Sequence, residues 1–395
     1  MILHKYQKLF GKFIGNIVRP RYGWKKNVTK IAKFFFLLIE FPIEACGDVL
    51  FFWKKFRKVE ITNPRRILIV KIDQFGDVLF STFLLPIIKK KYPDVEIDYL
   101  INPKTKPLLE KNPHITHLYY WENMFLLALL GREKSKSGGL KEIRSRNKAT
   151  MQELIAKNYD AVLNTRAYPP SSNVPWRKIG GKLIAFDISE QSFLADYWAR
   201  YELTEEEWVN YLNLLKPLGI NGEDAEFSPG FFNLSDTSPV GEGKKYVVIS
   251  PISFDKERQW PKEEWKKLIS GLVDLGYRVA LTGMPTQKAY LDELMPSQND
   301  GGVIALNTLS LAEFGTLMKD AEFFVGIESF PAHLALAFKK EIFCLVNNNS
   351  YYLKGFSKRR LVIDARSMLP IVENLHFLDL KTARAADILS DHRVK

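Results

Sequence analysis

The chain has 395 residues, of which 46% are hydrophobic, so it can bury sizeable cores, most simply in two domains. Its two cysteines are too few for a disulfide framework or a cysteine zinc site, and they fit a cytoplasmic location. The formal net charge is +12, but residues 1–60 alone hold 13 basic and 4 acidic side chains, a net charge of +9. The basic charge therefore belongs to an amino-terminal segment rather than to the whole surface.

This amino-terminal segment mixes its cations with aromatic and aliphatic residues. Its most apolar part, residues 31–52, is interrupted by charged residues and by Pro42, whereas a membrane-spanning helix needs about 20 nearly uninterrupted apolar residues. A small-residue cleavage site, typical of a signal peptide, is also missing. We predict a basic amphipathic segment at 1–60 that lies on an anionic membrane surface, with a helical layer packed on the next domain as the alternative. We predict no nucleic-acid partner, because no binding motif accompanies the charge.

The first βα unit follows at residues 65–92. The apolar, β-branched run at 67–72 predicts a strand buried on both faces, Gly76 a turn, and the helical spacing of apolar residues from Val78 onward a helix. The single glycine does not make a GxGxxG fingerprint, which argues against a nicotinamide or flavin enzyme. Asp77 lies at the helix start, beside the strand's carboxyl end, where ligands gather in open α/β sheets. An acidic residue there also stabilises the helix dipole, so the pattern alone leaves both roles open.

The rest of the first half continues with alternating elements. Strands are predicted at 96–101, 117–121, 160–164 and 183–186, a short helix at 103–112 and a helical segment at 208–218. Residues 131–148 contain a glycine pair and many cations, which predicts a mobile loop that runs into a helix. Its cations, including Lys141 and Arg144, either receive an acidic or phosphorylated acceptor or form a solvated surface. Arg166, just after the strand at 160–164, is assigned to the acceptor site as well.

Residues 219–245 are rich in proline and glycine and predict a linker between an amino-terminal domain at 61–218 and a carboxy-terminal domain at 246–395. Strands are then predicted at 246–250, 278–282, 303–305, 323–325 and 342–345, and helices at 262–275, 286–294, 311–319, 331–337 and 383–389. The alternation predicts a second parallel sheet.

Two loops of the second half carry an anion-binding pattern. Residues 250–261 (SPISFDKERQWP) offer the hydroxyl of Ser253 and the guanidinium of Arg258 before a helix. Residues 325–336 (VGIESFPAHLAL) turn from a strand into a helix that has Pro331 in its first turn. Two helix N-termini with an arginine nearby suit a diphosphate.

Two residues of the second loop also have simpler interpretations. Ser329 stands where an N-cap is expected, and an N-cap serine needs no ligand. His333 is as readily a packed, hydrogen-bonded histidine of the helix as a ligand-binding one.

Three blocks together resemble glycosyltransferase family 9, the heptosyltransferase-like enzymes of lipopolysaccharide core assembly. They read RRILIVKIDQFGDVLFSTFLLPIIKKKYP, SPISFDKERQWPKEEWKKLISGLVDLGYRVALTGMP and LSLAEFGTLMKDAEFFVGIESFPAHLALAF, and the resemblance covers about residues 65–350. It implies the GT-B fold, in which two Rossmann-like domains face a cleft, with the acceptor on the first and a nucleotide-sugar on the second. It further implies an inverting enzyme without a metal or other cofactor, a donor such as ADP-heptose, and a lipid-linked glycan acceptor.

The resemblance also implies roles for individual residues. Asp77, in GDVL, matches the family's GDV motif and would be the general base. Arg258 falls where the family has a basic residue that contacts the donor diphosphate, and Ser253 occupies a small or hydroxyl position of the same loop. His333 matches the histidine of the D-S/T-G-x-x-H-L block, and Ser329 matches its S/T.

Three positions depart from the family pattern. Glu328 replaces the first aspartate of that block, Phe330 replaces its glycine, and Gln287 stands where an acid suited to the ribose is common. These three residues are still assigned to the donor site. The departures motivate an alternative, a catalytically retired GT-B protein that acts as a binding or scaffold component of glycan assembly. A nucleotide-sugar epimerase would share the fold but is expected to show more acid/base residues.

Overall fold

The computed structural model describes residues 46–122 (apart from 48, 52, 55 and 56), 134–135, 138–167, 172–202, 205–222, 225–241, 245–253, 258–297, 301–346 and 373–394. Most of the predicted membrane segment and part of the predicted loop at 131–148 therefore lie outside the described residues. The chain divides into two compact units near residue 228, with the short stretch 107–112 joining the second unit. This division lies inside the predicted linker, and the predicted domain bounds themselves stay a prediction.

The first unit is built on parallel strands. Its strands are β1 (Arg66–Lys71), β2 (Glu96–Ile101), β3 (His117–Tyr120), the two-residue pair β4 (Lys134–Ser135) and β5 (Gly138–Gly139), β6 (Ala161–Asn164), β7 (Lys182–Phe186) and β8 (Tyr197–Ala199). Its helices, with one at the boundary of the units, are α1 (Phe75–Ser81), α2 (Leu84–Lys91), α3 (Lys106–Leu109), α4 (Leu140–Ala156) and α5 (Glu207–Leu212), and 3-10 turns follow at Pro103–Thr105, Trp176–Lys178, Ser192–Leu194 and Asn213–Leu218. The main sheet has the order β3-β2-β1-β6-β7-β8, and β1, buried from Ile67 to Lys71, is central.

The single helix predicted from Val78 onward is wrong, because α1 and α2 are separate helices. Pro86 has no N–H group and cannot bond to the carbonyl of Thr82, which interrupts the helical ladder. Leu85 instead donates its N–H to that carbonyl at 3.0 Å. The helical segment predicted at 208–218 likewise begins as α5 and continues as a 3-10 helix. The three-residue edge strand β8 was not predicted.

The second unit repeats this architecture. Its strands are β9 (Tyr246–Ser250), β10 (Arg278–Thr282), β11 (Val303–Leu306), β12 (Phe323–Ile327), β13 (Glu341–Val346) and β14 (Leu375–Asp379), in the order β11-β10-β9-β12-β13-β14. Its helices are α6 (Lys262–Asp274), α7 (Lys288–Leu294), α8 (Leu311–Asp320), α9 (Phe330–Ala337) and α10 (Ala385–Leu389), with a 3-10 turn at Pro285–Gln287. All of its strand pairs are parallel. The predicted α/β class with two parallel sheets is confirmed, whereas β14 was not predicted.

The strand order of each sheet determines which loops lie side by side at its edge. In the first sheet β1 lies between β2 and β6, and in the second β9 lies between β10 and β12. The chain turns to opposite sides of the sheet after such neighbouring strands, which opens a crevice at their carboxyl ends. In each unit, a ligand site is therefore expected at the two loops beside this crevice.

Candidate active site

Asp77 lies in the first turn of α1, directly after the β1 loop, and is half-buried. The phenol of Tyr211, whose electrostatic neighbours include Asp77, is fully buried and accepts a hydrogen bond from the ammonium of Lys71 at 2.5 Å. Burial raises the pKa of Tyr211, and the carboxylates of Glu207, Asp73 and Asp77 raise it further. Tyr211 is thus a neutral phenol close to the predicted base.

The two crevice loops of the first unit are joined by an ion pair. Arg166, after β6, places Nη1 2.8 Å from Oδ1 of Asp73, after β1, and donates to the carbonyl of Ile72 at 2.8 Å. Lys71 lies 2.9 Å from the other carboxylate oxygen of Asp73. Burial tends to raise the pKa of Asp73, but the charges of Arg166 and Lys71 outweigh it and hold that pKa below its usual value. Two cations therefore fix one carboxylate in the loop that leads into α1.

The ion pair with Asp73 gives Arg166 a structural role in the first unit. Its guanidinium holds Asp73 and the backbone of the β1 loop, and its predicted acceptor role stays a prediction. Lys141 and Arg144 are both exposed on α4, whose inward face carries the buried Ile143 and Asn147. Both are accessible from solvent, and their predicted role as a receptor for an acidic acceptor stays a prediction.

The two crevice loops of the second unit also meet. Arg258, from the loop after β9, places Nη1 3.4 Å from Oε2 of Glu328 and 3.5 Å from its carbonyl, after β12. Trp260 fixes the helix side of the first loop, since it is buried against Trp265 at a centroid distance of 4.8 Å and donates to the carbonyl of Ala383 at 3.1 Å. Ser253 lies in the described part of the same loop and is half-buried, whereas residues 254–257 are not described. The structure thus brings Arg258 and Glu328 together.

The turn into α9 differs from a capped helix start. Ser329 occupies the N-cap position in an extended conformation, but its hydroxyl donates to the carbonyl of Ile327 at 3.0 Å and does not cap the helix. Phe330 is the first helical residue, and its ring lies 6.3 Å from that of Phe314 on α8. His333 is buried, and this burial lowers its pKa to about 4, so the imidazole is neutral at physiological pH. A contact of His333 with the donor would therefore be a neutral hydrogen bond.

Gln287 closes a turn of its own after β10. Its Oε1 accepts a hydrogen bond from the backbone N–H of Met284 at 2.8 Å. This bond stabilises the 3-10 turn near the carboxyl end of β10, which ends at Thr282. The side-chain carbonyl thus has a structural role, and the predicted contact with the donor stays a prediction. Within the described ranges, no group of three or more histidine, cysteine or acidic side chains is arranged to hold a metal ion.

Comparison with known proteins decides the family. The sequence model of glycosyltransferase family 9 (heptosyltransferase) matches residues 148–350, just over half of the chain. The chain belongs to glycosyltransferase family 9. The predicted family and enzyme class, a glycosyltransferase, are confirmed.

The relatives of this family-9 chain share only a low sequence identity with it. It is 25% identical over 289 residues to lipopolysaccharide heptosyltransferase 3 of Escherichia coli strain K12, covering 68% of this chain and 79% of the relative. It is 22% identical over 350 residues to lipopolysaccharide heptosyltransferase 1 of Campylobacter coli, covering 82% of this chain and 97% of the relative.

Solved structures of family-9 proteins have the same fold. The E. coli heptosyltransferase WaaC with ADP-2-deoxy-2-fluoro heptose aligns with a TM-score of 0.63 at 19% identity, covering 82% of this chain and 97% of that one. The family-9 glycosyltransferase from Veillonella parvula DSM 2008 aligns with a TM-score of 0.64 at 18% identity, covering 84% and 97%. The predicted GT-B class, with two Rossmann-like units, is confirmed.

Sequence reasoning missed three residues near the candidate base of this family-9 enzyme: Lys71, Asp73 and Tyr211. A signal for the first two was present, because KID places two charges at the end of an otherwise apolar buried strand. Charges there need partners, since a buried ion without one is strongly disfavoured. Tyr211 carried no such signal, because a tyrosine on an apolar helix face is ordinary core.

Proposed function

We propose that this chain is an inverting, metal-independent transferase that moves heptose or a related sugar from a nucleoside-diphosphate donor to a lipopolysaccharide-type or other surface-glycan acceptor. The observation that carries the proposal is that the motif residues lie where the fold forms crevices. Asp77 follows the first crevice strand of the first unit, and Arg258 and Glu328, from the two crevice loops of the second unit, lie 3.4 Å apart. The names of the relatives support heptose and lipopolysaccharide as the first candidates.

Asp77 supplies the base in this mechanism. Its carboxylate takes the proton of an acceptor hydroxyl as the hydroxyl oxygen attacks the anomeric carbon, and the bond to the nucleoside diphosphate breaks on the opposite face. This single displacement inverts the anomeric configuration. The neighbouring phenol of Tyr211 is neutral and buried, so it does not compete for the proton.

The leaving group gains negative charge as the bond breaks. Arg258, the hydroxyl of Ser253 and the first turns of α6 and α9 are the donors that stabilise this charge. Arg258 must turn from Glu328 toward the diphosphate, and their separation of 3.4 Å is long for an ion pair, which favours that exchange. We propose ADP-heptose as the first donor to test, since ADP and an ADP-heptose analogue are bound in solved E. coli WaaC structures.

Replacing Arg258 with alanine is expected to weaken binding of the nucleoside diphosphate by roughly 1.5–3 kcal/mol, because a charge-assisted contact is lost. The change also removes the Arg258 cation from beside the Glu328 carboxylate, which would then repel phosphate more strongly. Titration of ADP into R258A and into R258A/E328Q separates the two effects, and the double variant should recover part of the loss.

The matched control for this titration is Lys266→Ala, which removes an exposed cation from α6. If ADP binds R258A and K266A equally well, the loop at 250–261 is not the phosphate loop. If ADP or another donor nucleotide binds and no acceptor is glycosylated, the retired binding protein becomes the better description.

The departures at Glu328 and Phe330 are expected to set donor preference. Glu328 reaches Arg258, and aspartate, one methylene shorter, would not make this contact without a backbone shift. The ring of Phe330 lies beside that of Phe314, and a glycine at position 330 would leave the volume of the Phe330 ring to the ligand. We expect E328D/F330G to change the order of transfer rates from ADP-heptose and from ADP-, UDP- and GDP-hexoses. An unchanged order, with ADP-heptose already preferred by the wild type, would contradict this prediction.

We place the enzyme in the cytoplasm, at the inner face of the membrane that carries its lipid-linked acceptor. Within the described part of the chain, no helix is both long and apolar enough to span a bilayer.

A further inference from the structure

The most exposed large apolar side chains of the described structure lie together in one short segment. Leu50 is 70% exposed, Val49 64% and Trp53 55%, whereas the other exposed apolar residues are scattered over both units at 41–46%. Single exposed apolar residues are normal, but a cluster marks an interaction surface. We call Val49, Leu50 and Trp53 the apolar triad.

The opposite side of this segment is anchored on the first unit. The ring of Phe51 stacks on that of Phe193 at a centroid distance of 5.9 Å and an interplanar angle of 7°. The ammonium of Lys54 donates to the carbonyls of Phe193 and Ala195 at 3.1 and 3.4 Å. Gly47 lies directly against the Phe193 ring, where a Cβ atom would overlap it.

These contacts fix the direction of the triad. Residues 47, 51 and 54 are spaced four and three apart, which is one face of a helical turn, and the bond from the Phe51 N–H to the Gly47 carbonyl at 2.9 Å shows that turn. Residues 49, 50 and 53 belong to the other face. This arrangement is unusual, since Lys54 faces the protein beside Phe51 while the three large apolar side chains of the triad face away from it.

The basic charge next to the apolar triad distinguishes between the possible partners of this surface. Arg57 and Lys58 are exposed beside the triad, and residues 1–45 carry nine basic and two acidic side chains in the sequence. A second copy of the chain would bring a second net charge of +9 to the contact. Three side chains are also far fewer than the roughly 20–30 residues per side of a stable protein interface. An anionic bilayer attracts the cations and accepts tryptophan and aliphatic side chains at its headgroup boundary.

We propose that the apolar triad inserts into the headgroup boundary of an anionic bilayer and sets the orientation of the first unit on the membrane. The proposal deepens the membrane location given above and rests on the proposed function only through the lipid-linked acceptor. It assigns attachment to two parts, the cations of residues 1–60 and the triad.

The test is flotation of the full-length protein with vesicles of phosphatidylcholine alone or mixed with phosphatidylglycerol. The wild type should float with the mixed vesicles at low salt and be largely released at high salt, because screening weakens the attraction of the cations. V49S/L50S/W53S should bind the mixed vesicles at least about tenfold more weakly, because burial of the three side chains is lost. The control I155S/V174S/L275S removes three exposed apolar side chains elsewhere and should float like the wild type.

Three results would overturn the proposal: a wild type that does not float, a triad variant that floats like the wild type, or an equal loss in the control. A wild-type dimer that the triad variant abolishes would also overturn it, by assigning the face to self-association. Circular dichroism and urea denaturation, measured on the same preparations, verify that the variants are folded. Because ADP binding and transfer do not involve vesicles, failure of the membrane proposal is distinguishable from failure of the proposed function.

Discussion

Turnover is expected to fall by about 10²–10⁴-fold when Asp77 is replaced with asparagine, because the amide keeps the shape of the side chain but cannot accept a proton. Binding of ADP should change little, since the proposed phosphate contacts belong to the second unit. Asp77 is half-buried in the first turn of α1, so the substitution removes charge without opening a cavity. The measurement is the initial rate of transfer at saturating donor, together with an ADP titration.

Asp94→Asn is the matched control, because Asp94 is an exposed aspartate of the same unit outside the crevice loops. It should retain the wild-type rate. If Asp77→Asn also turns over near the wild-type rate, Asp77 is not the base, and the GDVL match would describe a helix start alone.

The second large effect is expected on stability. Asp73→Asn should lower the free energy of unfolding of the first unit by about 3–5 kcal/mol, the usual consequence of removing one partner from a buried ion pair. The side chain of Asp73 is only 11% exposed and that of Lys71 only 4%, so water cannot solvate the lysine cation once the carboxylate charge is removed. Lys71 and Arg166 would then lose the Asp73 carboxylate that lies between them.

Urea denaturation measures this change, and Asp292→Asn provides the contrast. Asp292 pairs with Lys288 at 2.6 Å on α7, but both side chains are at least half exposed, and such pairs contribute only about 0.3–0.5 kcal/mol. Similar small losses in both variants would mean that the Lys71–Asp73–Arg166 cluster does not stabilise the unit.

The pH dependence of stability gives an independent check on Asp73. Its pKa is lowered in the folded protein, so the stabilisation is present above the unfolded value of about 3.9 and is lost as the pH falls toward the lower folded value. The difference in stability between the wild type and Asp73→Asn should therefore shrink in acid. A difference that stays constant from neutral pH to the acid range would show that charge is not the cause.

The family of this enzyme was predictable from the order of three sequence blocks, and the fold was predictable from periodicity. Short β-branched runs alternate with helical spacing, and the strands 96–101, 246–250 and 278–282 have the predicted bounds. Local pattern was sufficient there because a strand buried on both faces requires a continuous apolar run. It was insufficient for the break between α1 and α2, where apolar spacing continues through Pro86 although the hydrogen-bond ladder does not.

The sequence by itself determined which residues end the crevice strands, and with them the places of Asp77, Arg258, Glu328 and His333. Only the tertiary structure decided the partners of these strand ends. Arg258 lies 70 residues before Glu328, and Arg166 meets the loop of Asp73 from a similarly distant strand. Such pairs form because strands distant in sequence become neighbours in a parallel sheet and place their carboxyl ends at one edge. A pattern along the chain contains the charges, but the order of the strands in the sheet determines which charges meet.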